Sequence, residues 1–226
     1  MLDEKRYCIY KRTIPLFNKD NEYGFYELLD KNMKFKNLKA VVLGEELYIK
    51  SILIKSKYFE LEKYIANEIK NIFSQNGEIL YDYEKSENTN SVYIYSIRGK
   101  EKVEKLCSHT VFLEVTPLQF IIRKTLKNIF KNKCKDYMSL IKFDNKYYFI
   151  KCSNDVFIDN YVSKDLEKVC QYIDSKYEKE TIIIDNKCFL DEYSLEKLEI
   201  IKKDIVGAIN ENVIKNIKIL YQIVFI

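Results

Sequence analysis

The one histidine of the chain, His109, stands in the segment Cys107-Ser108-His109-Thr110. A thiol and an imidazole brought together in space form a nucleophile pair. Neighbours on one segment rarely face each other, and no third group to orient the imidazole is evident. Geometry therefore favours a loop or edge histidine. Asp155, Asp159, Asp185 and Asp191 could gather into a carboxylate cluster for Mg²⁺. Each also falls where a turn or a cap is expected, and those duties explain them separately. Tyr81, Tyr83, Tyr93 and Tyr95 are candidates for stacking on nucleic-acid bases, yet on paired strands they read more simply as cross-strand fillers. Among the six cysteines there is no C-x-x-C pair, and with a single histidine no metal-ligand cluster forms. Five of them sit in apolar or amphipathic stretches, as buried reduced thiols do.

Bulk properties narrow the classes further. A chain of 226 residues makes one large domain or two small ones. Hydrophobic residues at 47% supply a core, and charged residues at 32% supply a solvated surface. The 38 basic and 34 acidic residues are interspersed, as in Leu61-Glu62-Lys63 and Asp165-Leu166-Glu167-Lys168. Such mixing serves solubility, and a basic stripe for nucleic acid is not expected. The start, Met-Leu-Asp-Glu-Lys-Arg, lacks an apolar signal core. No stretch approaches the ~20 apolar residues of a spanning helix. A soluble intracellular protein is expected.

The elements that would position these residues follow from periodicity. Strands are expected at Tyr7 to Lys11 and Tyr23 to Leu29. Ala40 to Leu43 and Leu47 to Ile54 read as a hairpin turned at Gly44. Leu61, Ile65, Ile69 and Ile72 mark one face of a helix over 58–73. Strands at 79–83 and 91–97, a helix at 100–107 and a strand at 111–115 come next. Thr116-Pro117 then opens a helix, with Thr as cap and Pro at the first helical position. Asp144-Asn145 between alternating arms predicts a tight hairpin over 137–152, with a third strand at 155–162. Ser163 caps a helix running to about 177, and 181–184 is a short apolar strand. Helices are expected over 195–203 and 205–217, and a last strand over 221–226. The whole is an α/β fold of mixed sheets with crossover helices. Its expected divisions are a short N-terminal strand region (1–38), a small α/β subdomain with the remainder of a first lobe (39–135), and a second lobe (136–226).

This order of elements resembles the PilM/GspL family, the assembly proteins of type IV pilus and type II secretion inner-membrane platforms. The resemblance is carried by the segment Ala40 to Ile54, by Glu60-Leu61-Glu62-Lys63-Tyr64-Ile65-Ala66-Asn67-Glu68-Ile69, and by Ile79-Leu80-Tyr81-Asp82-Tyr83. It continues through Val92 to Ile97, Lys102 to Leu106, Leu113-Glu114-Val115-Thr116-Pro117-Leu118-Gln119-Phe120 and the meander at 137–162. It implies a reduced actin-like (ribonuclease H-like) architecture with an inserted small α/β subdomain. It also implies a non-catalytic scaffold at the inner face of the cell membrane. Such a scaffold binds a PilN-like tail of a membrane platform protein, and the assembly ATPase is a further partner. Tyr48, Ile52 and Tyr64 are the expected contact residues. Membrane contact is expected only through partners.

The departures from the family bear on ATP. Actin-like ATPases bring backbone close to phosphate through Asp-x-Gly turns, where a side chain would block the approach. The corresponding segments here are Tyr7-Cys8-Ile9-Tyr10-Lys11, Leu140-Ile141-Lys142-Phe143-Asp144-Asn145 and Asp185-Asn186-Lys187, none with glycine. No ATP-site residue is assigned, and no cofactor or metal is expected. A divergent actin-like ATP-binding protein and a nucleic-acid-associated protein remain the alternatives.

Overall fold

The computed structural model describes residues 29–30, 34–53, 61–72, 79–86, 90–131, 133–188, 195–209 and 222–226. The expected strand at 7–11, all but Leu29 of the one at 23–29 and most of the expected helix at 205–217 fall outside these residues; Leu29 itself is helical.

Three sheets organise the described chain. In the first, β1 (Phe35–Val42) lies between β11 (Gln222–Phe225) and β5 (Thr110–Pro117), all parallel. The second is antiparallel, with β4 (Ser91–Arg98) between β2 (Tyr48–Leu53) and β3 (Ile79–Lys85). Helix α1 (Leu61–Ile72) covers one of its faces: Ile65 and Ile69 close on Ile52, Val92 and Ile94. Helices α2 (Lys100–Cys107) and α3 (Leu118–Ile129) flank β5 in sequence.

The third sheet has the order β10-β9-β6-β7-β8, with β6 (Tyr137–Phe143), β7 (Lys146–Ser153), β8 (Val156–Ser163), β9 (Thr181–Asp185) and β10 (Glu199–Lys203). The meander β6-β7-β8 is antiparallel; β9 pairs parallel with β6, and β10 parallel with β9. Helix α4 (Leu166–Lys176) is the crossover between β8 and β9, and α5 (Ile205–Ala208) follows β10. Numbered from β6, this is a 3-2-1-4-5 sheet with its second strand reversed, the arrangement of an actin-like (ribonuclease H-like) lobe. The mixed α/β fold expected from the sequence is the one formed.

Both turns of the meander use the same chemistry. Asp144 and Asn145 have φ of 47° and 57°, and Asn154 and Asp155 have φ of 49° and 68°. Two successive left-handed residues match the twist of the flanking strands, and Asn and Asp tolerate that region best. Substituting Asn145 or Asn154 with valine is expected to destabilise the protein by about 1–2 kcal/mol, while glycine is tolerated. Urea denaturation of the four variants checks this.

Four local expectations are corrected. Residues 40–54 are not a hairpin: β1 is the central strand of the parallel sheet, and β2 belongs to the second sheet. A continuously apolar run is the signature of a strand buried on both faces. Gly44, at φ 74°, bends the chain from one sheet to the other, and a Cβ there would strike the Lys146 side chain. Residues 199–203 form an edge strand instead of a helix. Leu195 and Leu198 are buried at helical spacing, but Leu195 takes a left-handed φ of 64°, and the open parallel edge of β9 captures the segment that follows. Helix α3 begins one residue late: Pro117 ends β5 and is the N-cap, and Thr116 makes no cap. Helix α4 is capped by Asp165, which accepts from Glu167 N–H, while Ser163 Oγ accepts from Asp165 N–H. The C-terminal strand pairs within the chain: Leu43 N–H donates to Ile226 O (2.8 Å) and Ile226 N–H to Val41 O (3.3 Å).

Candidate partner-binding site

The small antiparallel sheet packs on the core that the other two sheets share, and the seams it makes are the candidate site. Even-numbered residues of β4 face α1. Odd-numbered ones, Tyr95 and Ile97, face the main core with Leu80, Leu118, Ile121 and Ile122. On this inner side an apolar groove of about 220 Å³ opens between the small sheet and β5–α3. Its lining includes Leu47, Leu80, Tyr95, Ile97, Pro117 and Phe120. A second, more polar cleft of about 790 Å³ lies at the end of the same sheet. Tyr48, Ser96 and Arg98 line it opposite Glu45, Glu46 and Val162. Leu47 lines both.

The link 44–47 between β1 and β2 is held by the second lobe. Gly44 N–H donates to Tyr148 Oη (2.8 Å), and Lys146 Nζ donates to Gly44 O (3.2 Å). Asn160 accepts from Leu47 N–H through Oδ1 (2.8 Å) and donates to Leu47 O through Nδ2 (2.7 Å). Gln119 Nε2 donates to Glu45 O (2.7 Å) from α3. This link therefore crosses the mouth between the lobes, beside the β6–β7 turn.

A buried polar junction joins the same three parts. Arg123 of α3 forks onto Glu84 of β3: Nη1 donates to Oε2 (2.6 Å) and Nη2 to Oε1. Its Nη1 also donates to Asp155 O (2.8 Å). The guanidinium lies 4.9 Å from the Phe120 ring centroid and 4.6 Å from that of Phe157. Tyr95 Oη donates to Glu84 Oε2 (3.1 Å) and accepts from Phe157 N–H (3.2 Å). Burial works against the Arg123 charge, and the Glu84 carboxylate more than offsets it, so the guanidinium is held above its ordinary pKa. Burial, reinforced by Glu84, pushes the Tyr95 phenol up.

Of the expected contact residues, Tyr48 is 51% exposed and borders the larger cleft. Tyr64 is half-buried against the cluster under α1. Ile52 is 9% exposed and belongs to that cluster, so it holds the sheet on the helix and presents no contact surface. Groove residues Pro117 and Phe120 were not singled out, although the resemblance had marked their segment.

The other candidates disperse. Cys107 is exposed, while His109 is buried at the α2–β5 turn, where its carbonyl accepts from Phe35 N–H (2.8 Å). Burial pushes the Cys152 and Cys188 thiols up to about 12. Asp155 pairs with Lys127 (3.2 Å). Asp159 accepts from Tyr172, Tyr177 and Lys176. Asp185 Oδ2 accepts from the N–H groups of Ile205 and Val206, and Asp191 lies outside the described residues. Among the described residues no group of three or more His, Cys, Asp or Glu is placed to hold a metal ion. Tyr81 and Tyr83 pack toward α1, whereas Tyr93 and Tyr95 pack on the main core, so the four form no common stacking platform.

Among the described residues no helix is long and apolar enough to cross a membrane. No protein-family model matches the chain, and no curated protein matches it. Solved structures do match it in part. One is a Bacteroides thetaiotaomicron protein of actin-like ATPase fold and unknown function, 9% identical, with a TM-score of 0.45 over 78% of this chain and 74% of that one. Another is in a PilM–PilN type IV pilus biogenesis complex, 11% identical, with a TM-score of 0.45 over 71% of this chain and 65% of that one. A third is the cytoplasmic domain of EpsL, an inner-membrane component of the type II secretion system of Vibrio cholerae. It is 8% identical, with a TM-score of 0.48 over 88% of this chain and 87% of that one.

Proposed function

We propose that this protein is a non-catalytic scaffold of a type IV pilus or type II secretion inner-membrane platform. It takes the cytoplasmic tail of a membrane partner at the small subdomain and engages the assembly ATPase. The observation that carries this reading is the apolar groove between the small sheet and β5–α3, about 220 Å³ and flanked by open sheet edges among the described residues. An ordered tail gains apolar contact and strand hydrogen bonds there, at the cost of its own ordering. Tyr48 borders the cleft at the end of the same sheet and remains the contact residue to test. The protein sits at the inner face of the membrane through this partner.

The mouth between the lobes supports the non-catalytic half of the proposal. Ligands of open α/β sheets bind outside the carboxyl ends of the strands, at the point where the strand order diverges. Here that point lies between β6 and β9. Asp144-Asn145 closes the β6 end without glycine, the 44–47 link crosses in front, and the Asp185 carboxylate caps the start of α5. The N–H groups that a phosphate cradle would present bare are here already taken by the buried Asp185 carboxylate.

Isothermal titration with Mg-ATP is expected to show no binding at micromolar concentrations, and a clear isotherm would restore the ATP-binding alternative. Capture by an immobilised platform-protein tail is expected to fall about tenfold for Tyr48→Ala, with unchanged thermal stability. Capture equal to that of the parent protein would remove Tyr48 from the site.

A further inference from the structure

The longest acid-free basic run of this protein ends in one corner of the fold. From Val115 to Lys135 the chain carries Arg123, Lys124, Lys127, Lys131, Lys133 and Lys135, with no Asp or Glu. Those six give the run a charge of +6, while the remaining 32 basic residues face 34 acidic ones. A helix C-terminus favours cations in its last turn, which accounts for Lys127. It does not account for Lys131, Lys133 and Lys135, which lie beyond the helix.

The fold gathers these lysines. Lys131 N–H donates to Asn128 O (3.2 Å) and Lys133 N–H to Phe130 O (3.0 Å), which curls the segment after α3. Asp155 N–H donates to Lys135 O (3.0 Å), which pins the segment to the β7–β8 turn. Lys85, at the end of β3, joins Lys127 and Lys135 around one hollow of about 300 Å³. The carboxylates of this corner are engaged by neighbouring groups, Asp136 at the surface and the other two half-buried. Glu84 is held by Arg123, Asp155 by Lys127, and Asp136 accepts from Ser153 Oγ and Asn154 N–H. Lys124, Lys131, Lys133 and Lys135 are all exposed.

We infer that this corner is a docking surface for an anionic lipid bilayer. A compact cluster of ammonium groups is attracted to a negatively charged leaflet by about 1 kcal/mol per lysine near the surface, without any fitted pocket. The exposed charges are all Lys, a strongly hydrated point charge, where recognition of discrete phosphates favours the planar fork of Arg. Among the described residues no large exposed aromatic accompanies them, as base stacking would require. The surface orients the molecule on the membrane directly, in addition to the tether that the partner's tail supplies. It is independent of the tail-binding groove: one contact is read with lipid alone, the other with a tail peptide alone.

The test is co-sedimentation of the full chain with phosphatidylcholine vesicles, with and without phosphatidylglycerol, at low and high salt. The expected result is binding to the anionic vesicles only, weakening as salt rises. The triple variant K131A/K133A/K135A should lose about a hundredfold in vesicle affinity. A control of equal charge change, K164A/K168A/K202A, should retain it. Three results would overturn the inference: no binding to anionic vesicles at low salt, equal losses in both triple variants, or an unaffected K131A/K133A/K135A variant. Tighter binding to duplex DNA than to vesicles, with the same lysine dependence, would also overturn it by assigning the corner to nucleic acid.

Discussion

Replacing Arg123 with alanine is expected to cost about 3–5 kcal/mol of folding free energy, because it strips a half-buried carboxylate of its partner. Four groups lose a contact at once: the Glu84 carboxylate, the Asp155 carbonyl, and the faces of Phe120 and Phe157. Glu84 retains partial access to solvent (32% of its side chain), which places the expected cost toward the lower end of that range. Tyr95 Oη still donates to Glu84, so the network is weakened without being emptied. Glu84→Gln keeps the side-chain shape and a neutral acceptor, and should cost only about 1–2 kcal/mol. The double variant R123A/E84A should be less unstable than the sum of the two alanine changes, since neither charge is then left alone. Urea denaturation of the set measures all of these. Because the junction ties β3, α3 and the β7–β8 turn together, the loss should appear as one cooperative transition at a lower midpoint. An R123A protein within about 1 kcal/mol of the parent would show that water replaces the guanidinium readily and that the seam is not held there.

What could be read from the chain depended on the range of the interaction. Asp144-Asn145 encodes its turn in two residues. The period of Leu61, Ile65 and Ile69 encodes the buried face of α1, and the meander and its crossover helix gave the second lobe its architecture. The errors arise where a partner distant in sequence decides. Ala40 to Leu43 looks like a hairpin arm until the parallel neighbours β5 and β11, the second of them some 180 residues away, are seen on either side. Residues 195–203 carry a helical spacing that the free edge of β9 overrides. Tyr48 and Ile52 share a face of β2, but only the packed structure reveals that Ile52 lies in the cluster under α1 while Tyr48 is exposed at the larger cleft. Arg123 and Glu84 are 39 positions apart, and Asn160 and Leu47 are 113 apart. No local pattern announces either pair. The basic run at 123–135 was legible in principle. It disappears when charges are averaged over the chain and emerges when acid-free stretches are sought.

Asp185→Ala is the second change expected to have a large effect, about 3 kcal/mol, and it bears on the proposed function as well as on the fold. Asp185 is fully buried at the end of β9. Its Oδ2 accepts from Ile205 N–H and Val206 N–H, both at 2.8 Å, and its Oδ1 accepts from Lys187 N–H at 2.9 Å. One carboxylate thus closes the turn after β9 and satisfies two of the donors at the start of α5. Asp204 adds a further cap through Gly207 N–H (2.9 Å). Alanine would strand the two buried donors of Ile205 and Val206 and leave the part-buried Lys187 N–H to water. Asparagine keeps one good acceptor but points an amide at the remaining donors, so about half the cost should persist. Asp204→Ala removes only a solvent-facing cap and should cost about 1 kcal/mol. The ordering D185A, then D185N, then D204A is therefore expected in chemical denaturation. Titration of the D185N protein with Mg-ATP adds a second readout. If the carboxylate alone kept phosphate out, neutralising it would reveal binding. If the missing glycine turn at Asp144-Asn145 and the 44–47 link also close the mouth, D185N stays silent, which is the outcome a scaffold requires.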